Sequence, residues 1–152
     1  KFLFVLVLCQ GAGAAGSLFT IPAIPEWYTF LQKPSFAPPN WIFAPVWTTL
    51  FTLMAIAAYL VWLKGLENPL VRQALVVFLI QLVLNTLWSF LFFGMRSPLY
   101  GLLEIFVLWA MILVTILRFL RVSRTAGLLL IPYLLWVSFA CSLTLGIFLL
   151  NR

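Results

Sequence analysis

Five long apolar stretches organise this chain, at residues 2–21, 43–63, 71–93, 98–120 and 125–150. Polar breaks at 64–72, 94–98 and 121–125 separate the last four. None of the stretches alternates apolar and polar positions in the way a barrel strand does over about ten residues. Each is continuous and close to the ~20 residues that a helix needs to cross the hydrocarbon of a bilayer. Every backbone N–H and C=O must be satisfied internally there, which leaves the helix as the spanning element. The pattern predicts an all-α membrane protein, one transmembrane domain over residues 1–152 built as a five-transmembrane-helix bundle. Its short connections make successive helices antiparallel neighbours. Pro45 suits the first turn of the second helix, where a missing N–H costs nothing.

The first stretch admits two readings. Lys1, the apolar run Phe2 to Leu8 and the small residues from Gly11 to Ser17 resemble a secretory signal with a cleavage site. Apolar character that continues to Ile24 favours a span, in which Gly and Ala let helices approach closely.

One connection, residues 22–42 between the first and second helices, is long. With Pro45 at its far edge it carries six of the nine prolines, Pro22, Pro25, Pro34, Pro38 and Pro39 being the others. It also carries Trp27, Tyr28, Phe30, Phe36 and Trp41. Proline stiffens a loop by fixing φ, and aromatic side chains want an apolar surface to cover. An interfacial aromatic belt and a rigid lid over a cavity both fit.

Composition agrees with the pattern: 65% of residues are hydrophobic, 8% are charged and the mean hydropathy is +1.18. A soluble domain carries about 25% charged residues, and disordered chains are more polar still. The nine basic residues divide unevenly. Lys1, Lys64, Arg72, Arg118, Arg121 and Arg124 fall on one side of the predicted bundle, and Lys33, Arg96 and Arg152 on the other. In a cytoplasmic membrane the richer side faces the cytosol. The formal charge of +6 therefore reads as anchoring. No basic stripe on a soluble fold supports a nucleic-acid partner.

Ordinary catalytic chemistry is missing. There is no His, hence no Ser-His-Asp triad and no His metal site. The carboxylates are Glu26, Glu67 and Glu104, no two in one span, and Cys9 and Cys141 match no zinc or redox spacing. No Gly-rich phosphate loop is present.

Polar groups inside the spans are the remaining signal, because they are costly in lipid unless they face protein or a cavity. Gln81, Asn85 and Ser89 recur at i, i+4, i+8 with Trp88 beside them. They make interhelical hydrogen bonds, at about 0.6 kcal/mol each, or line a pocket. Trp47, Phe51 and Met54 form a stripe on the second helix, and Trp136 and Ala140 a shorter one on the fifth. Ser138, Ser142 and Gly146 read as a helix contact. Glu104, about 9 Å into the fourth span at helical rise, has three readings: snorkelling to the interface, pairing with Arg96, or holding a proton.

Four strings in order carry a resemblance. They are Trp27-Tyr28-x-x-Leu31-x-Lys33-Pro34-Ser35-x-x-Pro38-Pro39-x-Trp41; Val46-Trp47-x-x-Leu50; Gln81-Leu82-x-Leu84-Asn85-x-x-Trp88-Ser89-x-x-Phe92-Phe93; and Pro132-Tyr133-Leu134-x-Trp136-Val137-x-Phe139-Ala140. Together they span nearly the whole chain and resemble the translocator proteins, also called tryptophan-rich sensory proteins. Phe36 departs from the family's usual Trp, and Thr144 from its common Asn. The proposed sterol motif is incomplete, since Phe148 rather than Tyr lies between Leu143 and Arg152.

The resemblance implies a homodimeric receptor or translocator that binds porphyrins and other flat hydrophobic molecules in a cavity under the first loop. Carried over by position, the cavity holds Tyr28, Trp47, Phe51, Asn85, Trp88, Ser89, Trp136 and Ala140, with Trp27, Lys33, Pro34, Pro38 and Pro39 in the lid. Porphyrin or haem is then a ligand, and no cofactor is required. Lys33 is expected to attract a propionate. Without His, metal-free porphyrin is expected to bind at least as well as haem, with Tyr28 a weak axial candidate. Two alternatives accompany this reading. One is light- and oxygen-dependent porphyrin breakdown at Trp88 and Trp136. The other is a scaffold dimerising through residues 11–16 and 138–146. The membrane is a bacterial inner or outer membrane or the mitochondrial outer membrane.

Overall fold

A computed structural model describes residues 2–151; the topology residues Lys1 and Arg152, and with Arg152 the end of the sterol motif, lie outside the described residues. Among the described residues six α-helices form: α1 (Phe2–Glu26), α2 (Phe43–Trp62), α3 (Pro69–Ser89), α4 (Pro98–Val122), α5 (Arg124–Leu129) and α6 (Ile131–Asn151). With the short elements that adjoin them they make five spans long and apolar enough to cross a membrane.

The helix starts follow local chemistry. Asn68, Ser97 and Ser123 each accept a hydrogen bond from the first turn that follows, from the backbone N–H of Leu70, Tyr100 and Ala126. Pro69 and Pro98 occupy the first helical position. The turn between α3 and α4 closes through Arg96 at φ 51°.

Three boundaries differ from the sequence reading. α1 runs on to Glu26 with Pro22 and Pro25 inside it, so the lid begins at Trp27. Each proline removes only one N–H, and membrane helices tolerate that where neighbours cover the freed carbonyl. The third span ends in a π-helical turn, Phe90–Gly94, in which the Met95 N–H reaches the Phe90 carbonyl at 2.8 Å. The fifth span breaks at Leu130 between α5 and α6. Pro132 lacks the N–H that would have continued the α-helical ladder.

Packing sets the order around the bundle as first, second, fifth, fourth, third: α1 packs on α2 and α3, α2 on α5, α6 on α4, and α4 on α3. Leu3, Leu18, Val83, Leu117 and Leu135 point outward, as residues meeting hydrocarbon should. The inner faces make two cores. One surrounds Met54, Val61, Phe78, Ile112 and Phe119; the other joins Tyr28 of the lid to Phe92, Phe93, Leu143 and Ile147. A space remains between the two.

Candidate functional site

That space is a cavity of about 400 Å³, within the range of small-molecule sites. It lies under the lid, between α1, α2, α3 and α6. The structure brings Tyr28, Trp47, Phe51, Asn85, Trp88, Ser89, Trp136 and Ala140 together around it. Periodicity explains why. Asn85 and Ser89 are one turn apart on α3, Trp47 and Phe51 on α2, and Trp136 and Ala140 on α6, so each helix presents one face.

The aromatic rings brace one another. Trp88 stacks on Phe92 with centroids 5.2 Å apart and planes at 11°. Trp47 lies 5.7 Å from Phe51, and Trp136 lies 5.4 Å from Phe139. Contacts of this kind stabilise by about 0.5–1.5 kcal/mol beyond burial and hold the ring faces in place.

Two polar atoms here have no partner: the Tyr28 hydroxyl and the Trp88 indole Nε1, both buried. A buried donor without an acceptor costs roughly 1–3 kcal/mol. Burial also pushes the Tyr28 phenol up to about 12, so it keeps its proton. Below the cavity the Asn85 amide donates to the Tyr133 hydroxyl at 2.7 Å, and that hydroxyl donates to Gln81 Oε1 at 2.7 Å.

The remaining candidates lie outside the wall. Lys33 does not line the cavity. Its ammonium donates to the carbonyls of Tyr28, Thr29 and Leu31 at 2.9–3.3 Å and sits 4.9 Å over the Tyr28 ring. It staples the lid turn, because three carbonyls within five residues form a ready cation site. Trp27, Pro34, Pro38 and Pro39 shape the lid without lining the cavity. Gln81 and Met54 drop into the core below it. Glu104 neither snorkels nor meets Arg96: it is buried, and Arg96 is ion-paired to Glu26 at 2.7 Å.

The sequence reading missed the wall that α1 provides. Gly13 and Gly16 line the cavity. A Cβ at Gly13 would come within 2.7 Å of the Phe51 ring, and one at Gly16 within 3.0 Å of Ser89 Oγ. These glycines make room for cavity side chains. Their i, i+3 spacing was the available signal. Phe43, Phe92, Phe93 and Thr144 also line the wall.

On one side the cavity is bounded by exposed residues, Ala14 and Ile21 of α1 and Ala44 and Thr48 of α2. Gln10 closes this side from below, its amide donating to the Thr48 carbonyl and Thr52 Oγ1. The lining contains no carboxylate, lysine, arginine or cysteine. Among the described residues no three metal-binding side chains cluster. The arrangement can enclose a flat apolar molecule and donate hydrogen bonds to it.

Comparison with known proteins identifies the chain's relatives. The model of the TspO/MBR family matches residues 4–150. The chain is 51% identical to the tryptophan-rich protein TspO of Chlorobaculum tepidum, over 95% of this chain and 91% of the relative. It is 45% identical to the protein of the same name from Archaeoglobus fulgidus, over 99% and 97%. Against the translocator protein of Bos taurus it is 38% identical, over 84% and 76%.

Proposed function

The chain belongs to the TspO/MBR family of multi-pass integral membrane proteins, and from that premise we propose that its cavity binds porphyrins and related flat hydrophobic molecules. The observation that carries the reading is the wall itself. Three indoles, Trp47, Trp88 and Trp136, border one cavity with two buried donors, Tyr28 Oη and Trp88 Nε1, that lack acceptors. Flat π-faces meet the rings, and an acceptor on the ligand satisfies the donors.

Protoporphyrin binding followed by tryptophan fluorescence in nanodiscs tests this. Saturable binding is expected, weakened about tenfold or more by Trp136→Leu, which removes a ring face worth upwards of 1.4 kcal/mol. Asn85→Leu is expected to weaken it as well, because Tyr133 loses its donor. A folded parent protein with no saturable binding sinks the reading.

A second reading, breakdown of the bound porphyrin by light and oxygen, draws on Trp88 and Trp136 at the same wall. It requires a product with a changed absorption spectrum that forms faster with protein than in empty micelles. The dimeric scaffold reading has less to work with: Gly13 and Gly16 face inward, and Gly146 meets Pro34 of the lid.

A further inference from the structure

Glu104 has no role in the cavity, yet it is the most anomalous side chain in the bundle. Its exposure is 8%, and neither carboxyl oxygen has a hydrogen-bond partner. It lies on α4 next to Ile105, whose carbonyl faces the Cys141 thiol of α6. It is within electrostatic reach of the Tyr133 hydroxyl, the centre of the Asn85–Tyr133–Gln81 chain. Asn85 is a cavity residue, so that chain connects the carboxyl's surroundings to the ligand wall.

A carboxylate cannot stay charged there without a counter-ion. Removing an isolated ion from water costs several kcal/mol even after relaxation, and the group neutralises instead. Among the described residues no counter-ion is near. Of the elements packed on α4, α3 carries only Arg72 and α5 only Arg124 as charged residues, both at the opposite end of the bundle. The π-helical turn carries none, and the titratable groups of α6 are Tyr133 and Cys141. On α4 itself Tyr100 is exposed, and Arg118 and Arg121 lie at least 14 residues away, about 21 Å at helical rise. Cys9 of α1 is the remaining titratable group near Tyr133. Arg96 is held by Glu26.

We propose that Glu104 is a proton-binding site, a neutral carboxylic acid behind the ligand cavity, and that its proton keeps the Tyr133 chain in the arrangement that shapes the cavity wall. A neutral carboxyl leaves Tyr133 free to donate to Gln81. A carboxylate would set a negative charge within electrostatic reach of that hydroxyl, reorient its O–H dipole and weaken its donation to Gln81, which loosens the chain that positions Asn85. Ligand affinity is therefore retained while Glu104 holds its proton and falls as pH rises through its titration. By linkage, a bound ligand holds the proton more tightly. The coupling half of the proposal rests on the cavity reading above; the proton site does not.

Infrared spectroscopy decides the first half on the ligand-free protein, in an alkyl maltoside that has no carbonyl of its own. The carboxyl side chains are Glu26, Glu67 and Glu104. The first two are exposed, so a neutral-acid C=O band at neutral pH reports Glu104. The band is expected in the parent and absent in Glu104→Gln. A parent without it overturns the proton site, whether or not the variant folds. For the coupling, the probe is protoporphyrin dimethyl ester, which carries no carboxylate. Parent affinity is expected to fall about tenfold as the band disappears on the alkaline side. Glu104→Gln is expected to show no such step. The Tyr28 phenol, at about 12, stays neutral if the titration ends below that value. An equal fall in both proteins overturns the coupling. An ester that binds at no pH rejects the porphyrin reading and the coupling with it, while the band still decides the proton site.

Discussion

At the scale of the residue, Tyr28 and Lys33 show how much a side chain's role depends on what the turn does with it. Both belong to the lid, five positions apart. Lys33 turns inward on its own backbone and becomes a staple. Tyr28 sits 1% exposed with its hydroxyl unpaired at the cavity. Because burial holds that phenol near 12, it offers a neutral O–H across the physiological range and no phenolate to ligate iron. Haem should therefore bind no more tightly than metal-free protoporphyrin. Tyr28→Phe should weaken both by the same several-fold factor, the scale of one buried hydrogen bond at ~0.5–1.5 kcal/mol. Side-by-side fluorescence titrations check this; a loss confined to haem would assign Tyr28 to the metal. Helical spacing marks Asn85 and Ser89, and Trp47 and Phe51, as one-faced stripes, and the family resemblance, not the spacing, implies that they meet at one cavity. Lys33 was not legible. Its partners are backbone carbonyls, and their direction depends on the 3₁₀ turn at Tyr28–Phe30, which leaves no mark in residue type.

At the scale of the element, the five spans follow from hydropathy, whereas their irregularities follow from backbone groups that hydropathy does not describe. The π-helical turn carries Phe92 and Phe93 into contact with Trp27 and Tyr28, and so seats the lid. The lid is also fastened to the end of α6. Asn151 accepts from the Gln32 N–H at 3.0 Å and donates to the Gln32 carbonyl at 2.7 Å. Pro34 lies against Gly146, where any Cβ would collide with its ring. No sequence pattern announces a clasp between positions 119 residues apart. Asn151→Ala removes both lid bonds, which lie at an exposed site where water takes their place at little net cost to the fold. The expected outcome is a porphyrin release rate raised several-fold in stopped-flow fluorescence, with thermal stability nearly unchanged. A release rate equal to that of the parent would mean that ligand leaves between α1 and α2, where exposed Ala14, Ile21, Ala44 and Thr48 border the cavity.

At the scale of the whole molecule, charge is distributed by end. Lys64, Arg72, Arg118, Arg121 and Arg124 gather where α2, α3, α4 and α5 meet their short turns, and Arg118 reaches Gln73 across that end. Among the described residues the lid end carries Lys33 and Arg96, the first bound to carbonyls and the second paired with Glu26. In a cytoplasmic membrane this puts the basic end in the cytosol and the lid outside. The orientation also decides which solution supplies the cavity, because the lid and the exposed side between α1 and α2 lie toward the same end. A membrane-impermeant maleimide applied to intact cells should label Gln32→Cys in the lid and leave Glu67→Cys unlabelled, the two native cysteines having been replaced by serine. Labelling at Glu67→Cys alone would reverse the orientation. Equal labelling of both would mean that charge does not fix the topology, and the five basic residues would need another explanation.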